Sequence, residues 1–272
     1  MSKTHLTVLL TGAASGIGRA TAASLLSAGH TVIGVDVNPP DAPTEGDFIP
    51  AVADITSEEA LRALAATLGE RKLDAIVCAA GIHDMVALTE SDFSRLRRLV
   101  EINLLGTALT CRILHPHLAE RGRIVIVTSE VAGLDPLPFN GAYSVTKTAL
   151  DAYAQALRQE CALLGQRVVT VRPGAIATPL AAGSLRATER LAEETVLFRE
   201  GAARFLTITR RFMGTPHSPE SIAKTMTRAI TARRPRTTYA RFFNPGLVLL
   251  SLLPLSWQCA AVRLLLRNKK KK

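Results

Sequence analysis

Apolar runs of strand length alternate with helix-length segments from residue 5 to residue 171. Residues 5–11 read as a strand. They are apolar on most positions from Leu6 to Leu10, as expected where a parallel sheet is buried on both faces. A glycine-containing turn over 12–18 leads into a predicted helix from about Ile17 to Ala28, which Gly29 ends. Residues 31–37 and 48–53 predict two further strands. Ser57 is placed to cap the next helix, with Glu58 and Glu59 at the positive end of its dipole. Ala60 leaves the capping box incomplete, and Gly69 stops the helix. A strand over 73–79 follows, then a long helix over 90–118, broken near Pro116. A strand over 123–128, a helix over 142–164 and a strand over 167–171 complete the pattern. No internal repeat interrupts it.

Strand–helix–strand alternation of this kind implies right-handed crossovers that lay helices on both faces of a parallel sheet. The expected fold is a single doubly wound α/β domain of the Rossmann type, with ligands at the carboxyl ends of its strands. Residues 1–241 are assigned to this domain, with a mobile segment of about 180–216 over the site and an apolar, then basic, extension over 242–272.

Composition narrows the picture. A hydrophobic fraction of 47% is ample for a substantial core. The net charge of +10 is local: residues 200–272 carry 15 Lys and Arg against Glu200 and Glu220, whereas residues 1–199 carry 18 against 21 acids. A basic face spread over the fold is therefore excluded, and nucleic acid is not an expected partner. Cys78, Cys111, Cys161 and Cys259 lack paired or metal-ligand spacing and read as reduced thiols of a cytoplasmic protein. The histidines form no ligand pattern, so no metal is expected. The polar start, residues 1–5, does not read as a signal peptide.

The turn Thr11-Gly12-Ala13-Ala14-Ser15-Gly16-Ile17-Gly18 joins the first strand to the first helix. Glycines there permit a tight turn and close approach of a pyrophosphate, which the free N–H groups of the helix start would bind. Asp36, near the end of the second strand, can accept hydrogen bonds from ribose hydroxyls and would repel a 2′-phosphate. No Lys or Arg lies within the turn or directly after Asp36, which points to NAD rather than NADP. Tyr143 and Lys147 are four apart on a predicted helix and share a face. An ammonium beside a phenol favours the phenolate and is expected to lower its pKa.

These features, with Asp54-Ile55, Ala80-Gly81, Asn103, Ser129, Tyr143-Ser144-Val145-Thr146-Lys147 and Pro173-Gly174-Ala175-Ile176-Ala177-Thr178, resemble the short-chain dehydrogenase/reductase family over about residues 5–180. The resemblance implies hydride exchange between NAD and a secondary alcohol or ketone. It implies that Asp54 and Ile55 flank the adenine, that Ala80 and Gly81 line the cofactor trough, and that Pro173, Gly174, Ile176 and Thr178 embrace the nicotinamide end. Tyr143 is then the general acid/base, Lys147 tunes it and binds the ribose, and Asn103 holds a water in a proton relay. The chain departs from the family at Cys78-Ala79, where two asparagines are usual. The family's substrate-binding serine stands 13 residues before the tyrosine, which here is Glu130; Ser129 stands 14 before. Either the following loop has one extra residue and Ser129 acts, or Glu130 is a true replacement. The run Ile124-Val125-Ile126-Val127-Thr128 before it favours Ser129. The resemblance also implies a dimer or tetramer through the helices over 90–118 and 142–164. A catalytically idle NAD-binding scaffold of the same fold is the alternative reading.

Leu185, Leu191, Val196, Leu197, Phe198, Phe205 and Leu206, with Leu137, Phe139 and Met85, suggest a lipophilic pocket for a steroid, retinoid or long-chain alcohol. The plainer reading is that they pack a small helical lid. His83 and Asn140 are further candidates for substrate contact. From Phe242 to Val262 no residue is charged, and Arg263, Arg267 and Lys269–Lys272 follow. This stretch reads as a packing segment, as an interfacial segment on anionic lipid, or as a membrane span, against which Pro245, Gly246, Pro254 and Gln258 argue.

Overall fold

The computed structural model describes residues 5–41, 46–212 and 216–267. Its strands are β1 (Thr7–Thr11), β2 (Thr31–Asp36), β3 (Phe48–Val52), β4 (Leu73–Cys78), β5 (Leu118–Val127), β6 (Arg167–Pro173) and β7 (Thr238–Arg241). They form one parallel sheet in the order β3-β2-β1-β4-β5-β6-β7. The helices are α1 (Gly16–Ser27), α2 (Glu58–Leu68), α3 (Phe93–Val100), α4 (Thr107–Leu114), α5 (Gly141–Leu163), α6 (Pro179–Glu194), α7 (Arg199–Phe212), α8 (Pro219–Thr231), α9 (Pro245–Ser251) and α10 (Leu255–Leu266).

Because side chains alternate along each strand, the sheet feeds two cores. Leu9, Ile33, Ile76 and Ile124 pack with Leu61 of α2, Leu114 of α4 and Leu150 of α5. Val8, Leu10, Val77 and Val125 pack on the other face with Leu25 of α1 and Ile222 and Met226 of α8. Each fully buried leucine or isoleucine here contributes about 1.5–3 kcal/mol. This is the doubly wound α/β domain that the alternation predicts. Its strand order reverses between β1 and β4, which opens a crevice at their carboxyl ends.

Three features depart from the expected elements. The helix over 90–118 is not continuous: α3 begins at Phe93, because the Asp92 carboxylate accepts from Ser94 N at 2.8 Å and caps it there. A wide π turn, Glu101–Gly106, separates α3 from α4, and Pro116 lies in a tight turn before β5. The β5 strand starts at Leu118 rather than 123, and its register with β4 jumps between Leu73↔Leu118 and Ala75↔Arg123, so residues 119–122 bulge out. Beyond residue 216 the chain adds α8 and the edge strand β7, which the apolar pattern did not predict. The uncharged stretch folds as α9 and α10, and among the described residues no helix is long and apolar enough to cross a membrane. The stretch is therefore two short helices and not one continuous helix.

Candidate active site

The glycine turn has little choice of residue. Gly12 has φ +77°, and a Cβ there would lie 2.8 Å from Ala80 N. A Cβ on Gly18 would fall 2.0 Å from the Gly12 carbonyl oxygen. Gly16 (φ +52°) opens α1, and a Cβ on it would meet Thr178 Cγ2 at 3.0 Å. Ser15 is extended at the start of the helix and makes no side-chain cap, so the first-turn N–H groups of α1 face outward with no acid among them. The result is a backbone cradle for an anion, bounded by Ala80 on one side and Thr178 on the other. Asp36 stands at the end of β2, where Oδ2 accepts from Ala14 N at 3.1 Å and Oδ1 from Asn38 N at 3.2 Å.

A cleft of about 940 Å³ runs from this cradle across the carboxyl edge of the sheet. Gly12, Ser15, Gly16, Ile17, Gly18 and Asp36 line it at one end, and Asp54, Ile55, Ala80 and Gly81 follow. Ser129, Tyr143, Lys147, Pro173, Gly174, Ile176 and Thr178 complete that wall. Asn103 alone of the expected site residues does not line it. Its amide is fully buried behind Gly81, where Oδ1 accepts from Ile82 N at 2.8 Å. Its Nδ2 donates to Ile82 O at 3.0 Å and to Thr146 Oγ1 at 3.1 Å. The π turn places Asn103 inside, so its side chain braces the strand end at Ile82.

The Tyr143 phenol is buried, which pushes its pKa up to about 12; the Ser129 hydroxyl pulls the other way and the Glu130 charge adds to the rise. Burial lowers Lys147 to about 8, and its Nζ donates to Val127 O at 3.2 Å. Nζ lies 5.8 Å from the centre of the Tyr143 ring. The expected fall in the tyrosine pKa is therefore not found: burial of the phenol dominates its shift. Tyr143 is a neutral phenol at pH 7, a proton donor.

Ser129 and Glu130 both line the cleft but face different neighbours. Ser129, in extended backbone at the end of β5, acts on the phenol and accepts weakly from Val131 N at 3.4 Å. The Glu130 carboxylate is buried, which raises its pKa, and accepts from Asn244 N at 2.7 Å, at the foot of α9. Glu130 thus joins the catalytic loop to the C-terminal helices. The His83 ring packs against that of Tyr143, tilted by 52° with ring centres 4.4 Å apart. Its Nε2–H donates to Asn140 Oδ1 at 3.0 Å, and Nδ1 is buried without a partner. Burial lowers His83 to about 4, so the ring is neutral.

The far end of the cleft is apolar. Of the residues expected there, Met85, Leu137 and Phe205 line it. Phe139 and Leu191 instead pack behind Met85 and Phe205, Phe198 meets Phe139 edge-on at 5.8 Å, and Val196 and Leu197 are exposed. Leu185 and Leu206 do not line it either. The sequence reading missed Leu247 and Leu250 of α9 and Val262, Leu265 and Leu266 of α10, which wall the cavity. The uncharged run that contains most of them was visible; where it would pack was not. A second cleft of about 730 Å³ adjoins at Ile82 and His83 and is charged, its Arg95 bound to Asp84 at 2.7 Å.

The cradle, its carboxylate and the phenol at the strand ends define a doubly wound nucleotide-binding oxidoreductase. The family model for short chain dehydrogenase matches residues 6–189, and the chain belongs to that family. The backbone cradle, whose tight turn any Cβ at Gly12 or Gly18 would break by clashing with Ala80 N or Gly12 O, fits the nicotinamide dinucleotide that this family's fold carries. The 1-hydroxy-2-glutathionyl-2-methyl-3-butene dehydrogenase of Rhodococcus sp. is 33% identical over 179 residues, 64% of this chain and 79% of that protein. Human retinol dehydrogenase 5 is 30% identical over 275 residues, 92% of this chain and 85% of that protein. A solved short-chain dehydrogenase from Streptomyces avermitilis superposes with a TM-score of 0.70 at 26% identity, covering 97% of this chain and 95% of its own.

Proposed function

We propose that the protein is an NAD-dependent dehydrogenase of lipophilic secondary alcohols, or reductase of the matching ketones. The observation that carries this reading is the meeting, in one cleft, of the glycine cradle and Asp36 with Tyr143, Ser129 and an apolar far wall. Gly12, Gly16 and Gly18 would hold the pyrophosphate, Asp36 the adenosine ribose, and Lys147 the nicotinamide ribose. When bound, the nicotinamide ring supplies or accepts the hydride.

The chain itself manages the proton. In the reductive direction neutral Tyr143 gives its proton to the substrate oxygen and becomes the phenolate; in the oxidative direction that phenolate takes the proton of the alcohol. Ser129 donates a hydrogen bond to that same oxygen and orients it. Lys147, mostly protonated at pH 7, stabilises the phenolate that remains. Neutral His83 packs one side of the phenol ring and keeps water from it. Met85, Phe205, Leu250 and Val262 would exclude water from an apolar substrate body. The similarity to retinol dehydrogenase 5, over 92% of this chain, supports a lipophilic substrate. Assembly through α4 and α5, with Val145 and Leu163 of α5 and Leu105 of the π turn before α4 exposed, belongs to the same proposal.

A panel of steroid, retinoid and aliphatic secondary alcohols, offered with NAD and with NADP and followed by nicotinamide absorbance, tests it. Turnover of apolar alcohols with NAD is expected. Turnover confined to small polar alcohols, or to NADP, would overturn the substrate or the cofactor half of the reading.

A further inference from the structure

The C-terminal helices have two unlike faces. One walls the cavity with Leu247, Leu250, Val262 and Leu266. The other carries large apolar side chains in the open: Leu252 and Leu264 are each 75% exposed and Trp257 65%, with Leu249 and Leu255 beside them in sequence. Trp257, Ala260 and Leu264 follow a helical spacing on α10, and Arg263 and Arg267 border that stripe. The arrangement is braced from beneath by polar contacts. Gln258 Nε2 donates to Asp135 Oδ2 at 2.8 Å, Ser251 Oγ accepts from Asp135 N at 3.0 Å, and Arg204 Nη1 donates to Leu265 O at 3.4 Å. The exposed leucines are therefore held outward by the fold.

We infer that α9 and α10 dock on an anionic lipid bilayer, so that the wall of the substrate cavity lies at the membrane surface. Charge selects this occupant. After Glu220 the sequence contains no acid, and Arg263, Arg267 and Lys269–Lys272 follow the apolar stretch. Arg263 and Arg267 beside exposed Leu and Trp, with four lysines next in sequence, match the acyl boundary and headgroups of anionic lipid. A second copy of the chain would bring the same uncharged helices with the same positive border, and the acids packed against them, Glu130 and Asp135, are already bonded to Asn244 and Gln258. Nucleic acid has no use for an apolar face. The route this gives to the cavity rests on the lipophilic-substrate reading above; the docking itself does not.

Trp257 is the single tryptophan of the chain, so its emission reports this face alone. The full chain would be titrated with phosphatidylcholine vesicles, with and without phosphatidylserine, at low and high salt. The expected result is a blue shift and co-sedimentation with phosphatidylserine vesicles, weakened by salt. Leu252→Glu with Leu264→Glu should reduce vesicle affinity about tenfold or more, with NADH affinity and thermal melting unchanged. Unaltered Trp257 emission with anionic vesicles would overturn the inference. So would a blue shift that grows with protein concentration in the absence of lipid, which would assign the face to a second copy. Because the titration contains no substrate, an inactive but vesicle-bound protein would defeat the functional reading and leave the docking intact.

Discussion

At the cofactor end of the cleft the wall is backbone, held by glycines that admit no Cβ. At the substrate end the wall is side chain, contributed by α7, α9 and α10 as well as by the loop after β4. The first end tolerates almost no change of residue, yet any large apolar residue could serve at the second. Between the two ends stand Ser129, Tyr143 and Lys147, each a specific chemical group. A cleft made this way keeps one partner constant and leaves the other free to vary, consistent with relatives whose names carry unlike substrates.

The comparison is sharpened most by the pair Ser129 and Glu130. Ser129→Ala should lower kcat by on the order of 10²–10³, as loss of a donor to the reacting oxygen does elsewhere. Glu130→Ala should chiefly loosen α9 and raise KM, because its carboxylate holds Asn244. Steady-state kinetics of both variants checks this; normal turnover in the serine variant would end its assignment.

His83 offers a break at the boundary between the ends. Its folded pKa of about 4 lies below the unfolded 6.5, so the unfolded chain binds the extra proton between these values. Stability is whole above pH 6.5 and falls by about 3 kcal/mol as pH drops to 4. Denaturant melts of wild type and His83→Gln should converge toward acid pH; parallel curves would contradict the neutral, buried ring.

Asp36→Asn tests the cofactor end. Charge-assisted hydrogen bonds of about 1.5–3 kcal/mol would be weakened and the repulsion of a 2′-phosphate removed. The ratio of kcat/KM for NAD over NADP should fall about tenfold. Glu130→Gln should have the smallest effect. It keeps an acceptor for Asn244 N but removes the charge that raises the Tyr143 pKa. The basic limb of the reduction pH profile, where the phenol proton is lost, should move down by about a unit or less, with kcat at its maximum little altered.

What could be read from the sequence follows the same division. Gly12, Gly16 and Gly18 stand at fixed spacing after an apolar run because backbone contact demands them, and the Tyr143–Lys147 spacing shows because four residues bring two side chains to one helix face. The first strands were legible because burial on both faces leaves continuous apolar runs. The π turn at Asn103 was not, since it depends on an amide meeting Ile82, 21 residues earlier in the chain. Nor was the cavity lining. Phe205 and Phe198 look alike in sequence, and only packing decides that one lines the cleft and the other meets Phe139. The direction of the Tyr143 shift failed for a related reason: helical spacing gives the neighbour, but burial sets the dielectric, and burial is a property of the whole fold.

The central claim is that the phenol of Tyr143 carries the proton in a cleft whose other end holds the dinucleotide independently. Measuring NADH affinity by fluorescence titration alongside turnover, for wild type and Tyr143→Phe, tests it most directly. The account expects affinity within about twofold and turnover reduced by on the order of 10²–10⁴. Retained turnover in the Phe variant would contradict it.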